Sequence, residues 1–218
     1  MFIGHYAIGF AGKQVDQRPS LGTMFLAVLW LDLVWPVFVL LGIERFSIEP
    51  GNTVITPLDF EYYPWSHSLL MAVLWGLLFG FVYYFFSKSR RSSILLFFLV
   101  LSHWVLDWIT HQPDLPFTPF SNQKTGLGLW NYLWIELGIE MILFAGAVYW
   151  YSKTSKAKNK VGVWSLSILV GLLVVIHFLN VFGPLPPNTN AVAWSALLQW
   201  VFVGWGYWVD RNRISAAK

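Results

Sequence analysis

The sequence predicts an all-α fold, a polytopic membrane bundle of about six transmembrane helices with a short, half-inserted helix at the N-terminus. Of its 218 residues, 56% are hydrophobic and only 11% are charged, whereas charged residues make up about a quarter of an ordinary soluble domain. The chain also contains 14 Trp, a residue that favours the membrane–water interface. Its apolar runs reach about 20 residues, the length that an α-helix needs to cross a bilayer.

We expect a single integral membrane domain over residues 1–218, because the apolar runs leave no stretch long enough for a separate soluble domain. Any chemistry must then lie within the helices or their short loops. The absence of Cys excludes disulfides and thiolate metal sites. The expected partners are membrane lipids and a lipid-like or phosphorylated substrate, with no nucleic acid among them.

The apolar runs define the elements in chain order. Met1–Gly12 is too short to cross the bilayer, so we expect it to lie at the interface or to be half inserted. In the first span Pro36 should kink the helix just beyond Asp32. Pro64 suits the start of the second span, and the third is short unless it continues through His111. The six predicted spans are Leu21–Gly42, Trp65–Ser87, Ile94–Ile109, Leu129–Tyr151, Val161–Phe182 and Ala191–Val209.

The basic residues predict the orientation of these spans. Of the 14 Lys and Arg, 12 lie before span one or directly after spans two, four and six, which is one side of a six-span bundle. They are Lys13, Arg18, Lys88, Arg90, Arg91, Lys153, Lys156, Lys158, Lys160, Arg211, Arg213 and Lys218. The positive-inside rule then predicts that both termini are cytoplasmic and that the longer, acid-rich loops face outward.

Three polar residues in the third span point to a buried site. His103, Asp107 and His111 lie at i, i+4 and i+8, so on a continuous helix they form one stripe. Ionisable groups cost several kcal/mol in hydrocarbon, so the stripe requires a metal, a proton path or a polar cavity. Imidazole and carboxylate groups one turn apart can also reach the same zinc ion.

Other polar side chains within or beside the spans allow alternatives. Asp32 is near mid-membrane, where it is either functional or a protonated residue hydrogen-bonded between helices. His67 by itself suits an interfacial position. Glu136 and Glu140 are ligands, supporting partners of ligands, or a pair that shares a proton. His177 suits a hydrogen bond to a neighbouring helix as well as it suits a functional site.

Five residues carry a resemblance to a known family: His5, Asp32, His67 within Ser-His-Ser, His103 and Asp107. Their order resembles that of the YdjM-like bacterial inner-membrane proteins, and Ser102–Asp107 is the most specific part of the likeness. It covers the first half to two-thirds of the chain. The resemblance implies a membrane-bound, metal-dependent hydrolase in the bacterial inner membrane, although many members are described as permeases.

The same order of residue types is similar to that of the zinc-dependent phospholipase C and P1 nuclease superfamily, whose helical members hold three zinc ions for phosphoester hydrolysis. This likeness implies a first zinc ion held by Asp32, His67, His103 and Asp107. Asp107 would bridge to a second ion that His5 also binds. The candidates for a third are His111, Glu136 and Glu140. The expected catalytic residues are Asp32, His67 and Asp107.

These observations favour a membrane-embedded hydrolase that acts on a lipid phosphoester or headgroup through metal-activated water, with zinc or another divalent transition metal as cofactor. A second interpretation is a small permease coupled to protons or cations, because intramembrane ionisable groups also mark such pathways. A third is a metal-stabilised scaffold whose outer loops bind another protein. Metal analysis of the purified protein would best separate the first interpretation from the second.

Overall fold

A computed structural model describes residues 1–215 and shows a bundle of helices. Lys218, one of the basic residues used above to predict orientation, lies outside this range. The helices within it are α1 (Ile3–Val15), α2 (Leu21–Val28), α3 (Trp30–Leu40), α4 (Pro64–His67), α5 (Leu69–Ser87), α6 (Arg90–Thr110), α7 (Leu133–Thr154), α8 (Lys160–Phe182), α9 (Thr189–Ala196) and α10 (Gln199–Arg211). A single 3-10 turn, Leu129–Asn131, precedes α7.

Short strands interrupt the helices, so the prediction of a purely α-helical chain was incomplete. The strands form three antiparallel pairs: β1 (Arg45–Ile48) with β2 (Leu58–Tyr62), β3 (Leu115–Pro116) with β4 (Lys124–Thr125), and β5 (Ser155–Ala157) with β6 (Arg213–Ser215). The first pair is a hairpin that follows α3. The third pair joins the end of α7 to the end of α10.

The predicted count of six spans is not confirmed. Within the described residues, α5, α6, α7 and α8 are long and apolar enough to cross a membrane, and α2 with α3 adds a fifth if that bent pair is one span. The predicted sixth span is divided into α9 and α10 by Leu197 and Leu198, and neither helix is long enough to cross alone.

The bend in the first predicted span lies before Asp32, whereas the sequence predicted a kink beyond it at Pro36. The axes of α2 and α3 differ by 54° across Leu29, while α3 continues through Pro36. Asp32 therefore lies in the first turn of α3, where the helix dipole favours a carboxylate. The break also leaves Val28 as the last residue of α2, with its carbonyl free to accept another donor.

Helix α1 lies inside the protein. It packs against α2, α6 and α7, and most of its residues are buried. The Phe10 ring contacts the rings of Phe25, Phe144 and Tyr151 at centroid distances of 5.1, 6.1 and 5.2 Å. Protein therefore surrounds the apolar segment that the sequence predicted to be half inserted, and its depth in a membrane stays a prediction.

The basic segments meet at one end of the bundle, which we call the basic end. Gln14 Nε2 donates to Thr154 Oγ1 at 2.7 Å, and Arg18 donates to Ser89 at 2.9 Å. Arg213 Nε donates to Ser155 Oγ at 3.0 Å. These contacts place the segments after α1, α5, α7 and α10 together, as the charge pattern predicted. Which side of the membrane this end faces stays a prediction.

A buried carboxylate also ties the basic end together. Asp16 accepts hydrogen bonds from the Ser92 hydroxyl at 2.6 Å and from the backbone N–H of Arg18 at 3.0 Å. Burial by itself would raise the pKa of the Asp16 carboxyl, but these hydrogen bonds and the nearby Arg18 and Arg91 charges hold the pKa below its usual value. The segment after α1 is thereby fixed to the start of α6.

Candidate metal centre

Five side chains from four helices converge in the interior. We call them the His/Asp cluster: His5 on α1, Asp32 on α3, His67 on α4, and His103 and Asp107 on α6. His103 Nε2 lies 3.1 Å from Asp107 Oδ2, as expected for residues one helical turn apart. His67 Nε2 lies 3.4 Å from Asp32 Oδ1, and His5 Nε2 lies 3.1 Å from Asp107 Oδ1. The sequence predicted all five as site residues, and the structure brings them together.

The spacing of the cluster fits a small divalent cation. Ligand atoms of His5, Asp32 and His103 all lie within 4.8 Å of one another, as do those of His67, His103 and Asp107. With bonds of 2.0–2.1 Å at tetrahedral angles, two zinc ligands are about 3.3 Å apart. The measured N···O distances of 3.1 to 3.9 Å bracket that value.

Hydrogen bonds away from the cluster determine which imidazole nitrogens are free. His103 Nδ1 lies 2.6 Å from the Val28 carbonyl, so it carries the proton that it donates there. The Nε2 atom of a neutral His103 is then an acceptor that faces the Asp32 and Asp107 carboxylates, and it is buried with no hydrogen-bond partner in the described chain. Acceptors that face one another require a cation or a proton between them.

A short relay supports His67 in the same way. Its Nδ1 lies 2.7 Å from the Ser66 hydroxyl, which donates to Glu44 Oε2 at 2.6 Å. Glu44 Oε1 also accepts the backbone N–H groups of Trp65 and Ser66, each at 2.8 Å. A histidine whose second nitrogen is held by a carboxylate, directly or through a hydroxyl, is the usual arrangement for a metal ligand.

Glu44 is a site residue that the sequence did not predict. It lies in the loop after α3, yet only 1% of its surface is exposed. Burial raises the pKa of its carboxyl, while the hydrogen bonds from Ser66 act in the opposite direction. No spacing pattern links Glu44 to His67, so the sequence carries no signal that could have found it.

His111 lies outside the groups of ligand atoms within 4.8 Å of one another, and the predicted helical stripe ends before it. Its role as a metal ligand stays a prediction. Helix α6 ends at Thr110, and His111 has extended backbone angles. Its Nδ1 lies 2.9 Å from Asp114 Oδ1, which also accepts the Tyr63 hydroxyl at 2.8 Å. Asp114 therefore binds the Nδ1 atom of His111 and orients its imidazole.

A second group of buried ionisable residues lies on α7 and α8. We call it the Glu/His cluster: Glu136, Glu140 and His177, whose ligand atoms lie within 4.8 Å of one another. Glu140 accepts the backbone N–H groups of Phe2 at 3.2 Å and Gly4 at 2.8 Å. The sequence predicted Glu136 and Glu140 as ligands together with His111. The structure groups them with His177 instead.

Residues 1–4, at the start of α1, contact both clusters. The Met1 amino group is buried and donates to Asp107 Oδ1 at 3.0 Å and to Thr110 Oγ1 at 3.4 Å, while the next residues bind Glu140. The N-terminal residue of this chain therefore lies in the interior, and only the segment after α1 reaches the basic end. That both termini are cytoplasmic stays a prediction.

The three members of the Glu/His cluster and four members of the His/Asp cluster, all but His103, line one cavity of about 530 Å³. Its polar wall contains four carboxylates, and none of the lining residues is Lys or Arg. The polar lining residues include His5, Asp32, His67, Asp107, His111, Glu136, Glu140 and His177. Apolar residues of the β1–β2 loop, the loop after α8, and α9 complete the lining, among them Ile55, Pro57, Pro184, Pro186 and Val192.

The sequence was compared with known protein families, curated proteins and solved structures. The sequence profile of the family described as YdjM inner membrane protein matches residues 64–182, which is more than half of the chain. The matched region contains His67, His103 and Asp107 but neither His5 nor Asp32. No curated protein and no solved structure matches this chain.

Proposed function

This chain belongs to the YdjM inner membrane protein family, and from the His/Asp cluster in its interior we propose that it is a metal-dependent hydrolase acting on a phosphoester of a membrane lipid. The family and the apolar helices fit a multi-pass inner membrane protein. The observation that carries the proposal is the convergence of three imidazoles and two carboxylates, four of which (His5, Asp32, His67 and Asp107) line a cavity. Buried ionisable groups within a membrane bundle mark functional sites.

The donor set favours zinc or a similar divalent transition metal. Imidazole nitrogen with carboxylate oxygen is a common zinc ligand set, whereas magnesium and calcium prefer oxygen ligands alone. Asp107 presents Oδ1 to His5 and Oδ2 to His103, so its two oxygens face different histidines. That arrangement supports the prediction that more than one ion is held and that Asp107 joins them.

The residues of this chain would position the reactants. A bound divalent metal would supply a Lewis acid that makes water a nucleophile near neutral pH and offsets phosphate charge. Asp32 is the most accessible member of the cluster, with 27% of its side chain exposed. It is therefore placed to accept a proton from water in the cavity. Val28 and the Ser66–Glu44 pair hold the imidazoles of His103 and His67 in fixed orientations.

The cavity suits a lipid better than a water-soluble substrate. Its lining combines carboxylates and imidazoles with apolar residues of loops and of α9, such as Ile55, Pro184 and Val192. The apolar part can contact acyl chains, while the polar part contacts the headgroup. Because Lys and Arg are absent from the lining, an anionic phosphate would need bound cations for its charge to be offset.

The permease interpretation receives less support from the cavity. A carrier needs a polar path that can reach both sides of the membrane. The described lining residues come from the two clusters, from parts of α3, α8, α9 and α10, and from loops between helices, and none of the paired residues of the basic end, such as Gln14, Asp16 or Ser155, is among them. The described part of the cavity therefore does not reach the basic end.

Metal analysis of purified Asp32→Asn tests the proposal. The side chains are nearly isosteric, but an amide is a much poorer metal ligand than a carboxylate. We expect wild-type protein prepared without chelator to hold zinc and Asp32→Asn to bind it at least about tenfold more weakly. Asp59→Asn, which alters an acid on β2 outside both clusters, is the matched control and should keep wild-type affinity.

Hydrolysis itself is tested with vesicles of bacterial polar lipid. Zinc-loaded protein should release a phosphorylated product detectable by ³¹P NMR, and Asp32→Asn should not. Metal-free wild-type protein, or unchanged zinc binding in both Asp32→Asn and His103→Ala, would contradict the metal site. Stoichiometric zinc without any lipid phosphoester cleavage would contradict the hydrolase and favour the metal-stabilised scaffold.

A further inference from the structure

The Glu/His cluster contains buried acceptors that no protein group satisfies. The exposed fractions of Glu136, Glu140 and His177 are 0%, 1% and 2%. Both carboxylate oxygens of Glu136 and the Nε2 atom of His177 lack a hydrogen-bond partner among residues 1–215. Buried polar groups in folded proteins nearly always have a partner. The cluster therefore requires a hydrogen-bond donor or a cation that residues 1–215 do not supply.

Charge balance indicates that the missing partner is positive. Two carboxylates face one imidazole, and the cavity lining contains no Lys or Arg to neutralise them. The buried Met1 amino group is already bound to Asp107 and Thr110. Glu140 has two backbone N–H donors from the start of α1, but Glu136 has none. Unpaired buried carboxylate is costly unless a cation or a proton joins it.

We propose that Glu136, Glu140 and His177 form a second divalent-cation site, separate from the His/Asp cluster. Their ligand atoms lie within 4.8 Å of one another, close enough to share one ion. An imidazole beside carboxylates favours a transition metal over magnesium or calcium. The site joins α7 to α8, which are consecutive candidate spans. It includes His177, for which the sequence equally allows a structural hydrogen bond to a neighbouring helix.

The second ion would face the same cavity as the first site. The two clusters lie on either side of the first turn of α1, which binds Asp107 through Met1 and Glu140 through Phe2 and Gly4. A cation at Glu136 would add positive charge to a lining whose described residues include neither Lys nor Arg. The site does not depend on hydrolysis, because its ligands and their burial are independent of any substrate.

Paired variants test the proposal by the metal that each retains. Glu136→Gln and His177→Gln change the Glu/His cluster, while His103→Gln and Asp32→Asn change the His/Asp cluster. Each detergent-solubilised, monodisperse protein is dialysed against buffered zinc and its metal content measured. We expect variants of either cluster to lose at least one ion per chain while keeping the ion or ions of the other. Combining Glu136→Gln with His103→Gln should remove both sets.

The outcomes separate this proposal from the hydrolase proposal. Wild-type zinc content and affinity in both Glu136→Gln and His177→Gln would overturn the second site and leave the first. Loss of zinc in those variants alone, with full content in His103→Gln, would support the second site and contradict the first. An infrared band of a protonated carboxylic acid that is unaffected by zinc and absent from Glu136→Gln would show a shared proton instead and overturn the proposal.

Discussion

The chemistry of a histidine ligand depends on which ring nitrogen is free, and in this protein neighbours outside the cluster decide it. The Val28 carbonyl accepts a hydrogen bond from His103 Nδ1. The Ser66 hydroxyl accepts one from His67 Nδ1 and donates one to Glu44. Both arrangements direct Nε2 toward the carboxylates of Asp32 and Asp107. Such supporting contacts keep a ligand oriented before the metal arrives.

Ser66→Ala tests that support for His67. The change removes the hydroxyl between His67 and Glu44 and leaves the imidazole in place, so zinc affinity should fall by about 10- to 100-fold. Ser102→Ala is the matched control, because Ser102 lies beside His103 but donates to the Leu99 carbonyl of its own helix. Competition with a chelating dye measures both affinities. Equal affinity in the two variants would contradict a role for the relay.

Local spacing made some site residues predictable and left others hidden. His103 and Asp107 could be paired from the sequence because one helical turn separates them. The same rule does not extend to His111, because α6 ends at Thr110 and the spacing no longer describes a helix. Glu44 was hidden because its contact with Ser66 joins a loop to a distant turn, and no periodic pattern encodes such a contact.

At the level of helices, the break at Leu29 has two effects on the site. It places Asp32 in the first turn of α3, and it exposes the carbonyl of Val28 to His103. The sequence suggested Pro36 as the cause of a bend, since proline interrupts helical hydrogen bonding. Pro36 instead lies within α3, and nothing in the local sequence marks Leu29 as a break. Packing between α2, α6 and α10 accompanies the bend.

Helices α5 and α6 approach closely through two small residues. Gly76 and Gly80 are one turn apart on α5, and a Cβ at Gly80 would lie 2.9 Å from the backbone carbonyl oxygen of Ser93. Small residues at this spacing let membrane helices pack tightly. Because α6 carries His103 and Asp107, this contact also helps to fix the His/Asp cluster.

Gly80→Leu should therefore destabilise the protein. A larger side chain cannot enter the contact with Ser93 without moving the backbone, and overpacking of this kind costs about 1–3 kcal/mol. Gly146→Leu on α7 is the matched control, because a Cβ there has no neighbour within 4 Å. Thermal unfolding in detergent compares the two. Equal melting temperatures would show that the close approach of α5 and α6 is not required for stability.

At the level of the whole molecule, the two buried clusters lie away from the basic end. The basic end contains the paired segments around Gln14, Arg18 and Arg213. Residues of α1 and of the loops after α3 and α8 are among those that line the cavity. The composition predicted a membrane bundle with one basic end, because apolar length and charge position are read directly from the sequence. The cavity could not be predicted, because it is formed by residues distant in the chain.

The orientation of this bundle can be tested with a single cysteine at each end. Asn159 begins α8 beside Asn212 at the basic end, and Asn188 begins α9 near the loop that lines the cavity. Both side chains are exposed and both cap a helix N-terminus, so Asn→Cys should cost each variant a similar amount, about 1 kcal/mol. The chain has no native Cys, so any labelling reports the introduced residue.

The positive-inside rule predicts that Asn188→Cys reacts with a membrane-impermeant maleimide on intact spheroplasts and that Asn159→Cys does not. Both should react after the membrane is permeabilised, which controls for access. If labelling is reversed, the basic end faces outward and the end of the bundle nearer Asn188 faces the cytoplasm. The side from which a lipid headgroup enters would then be the cytoplasmic leaflet, because the cavity lies away from the basic end whichever way the bundle is inserted.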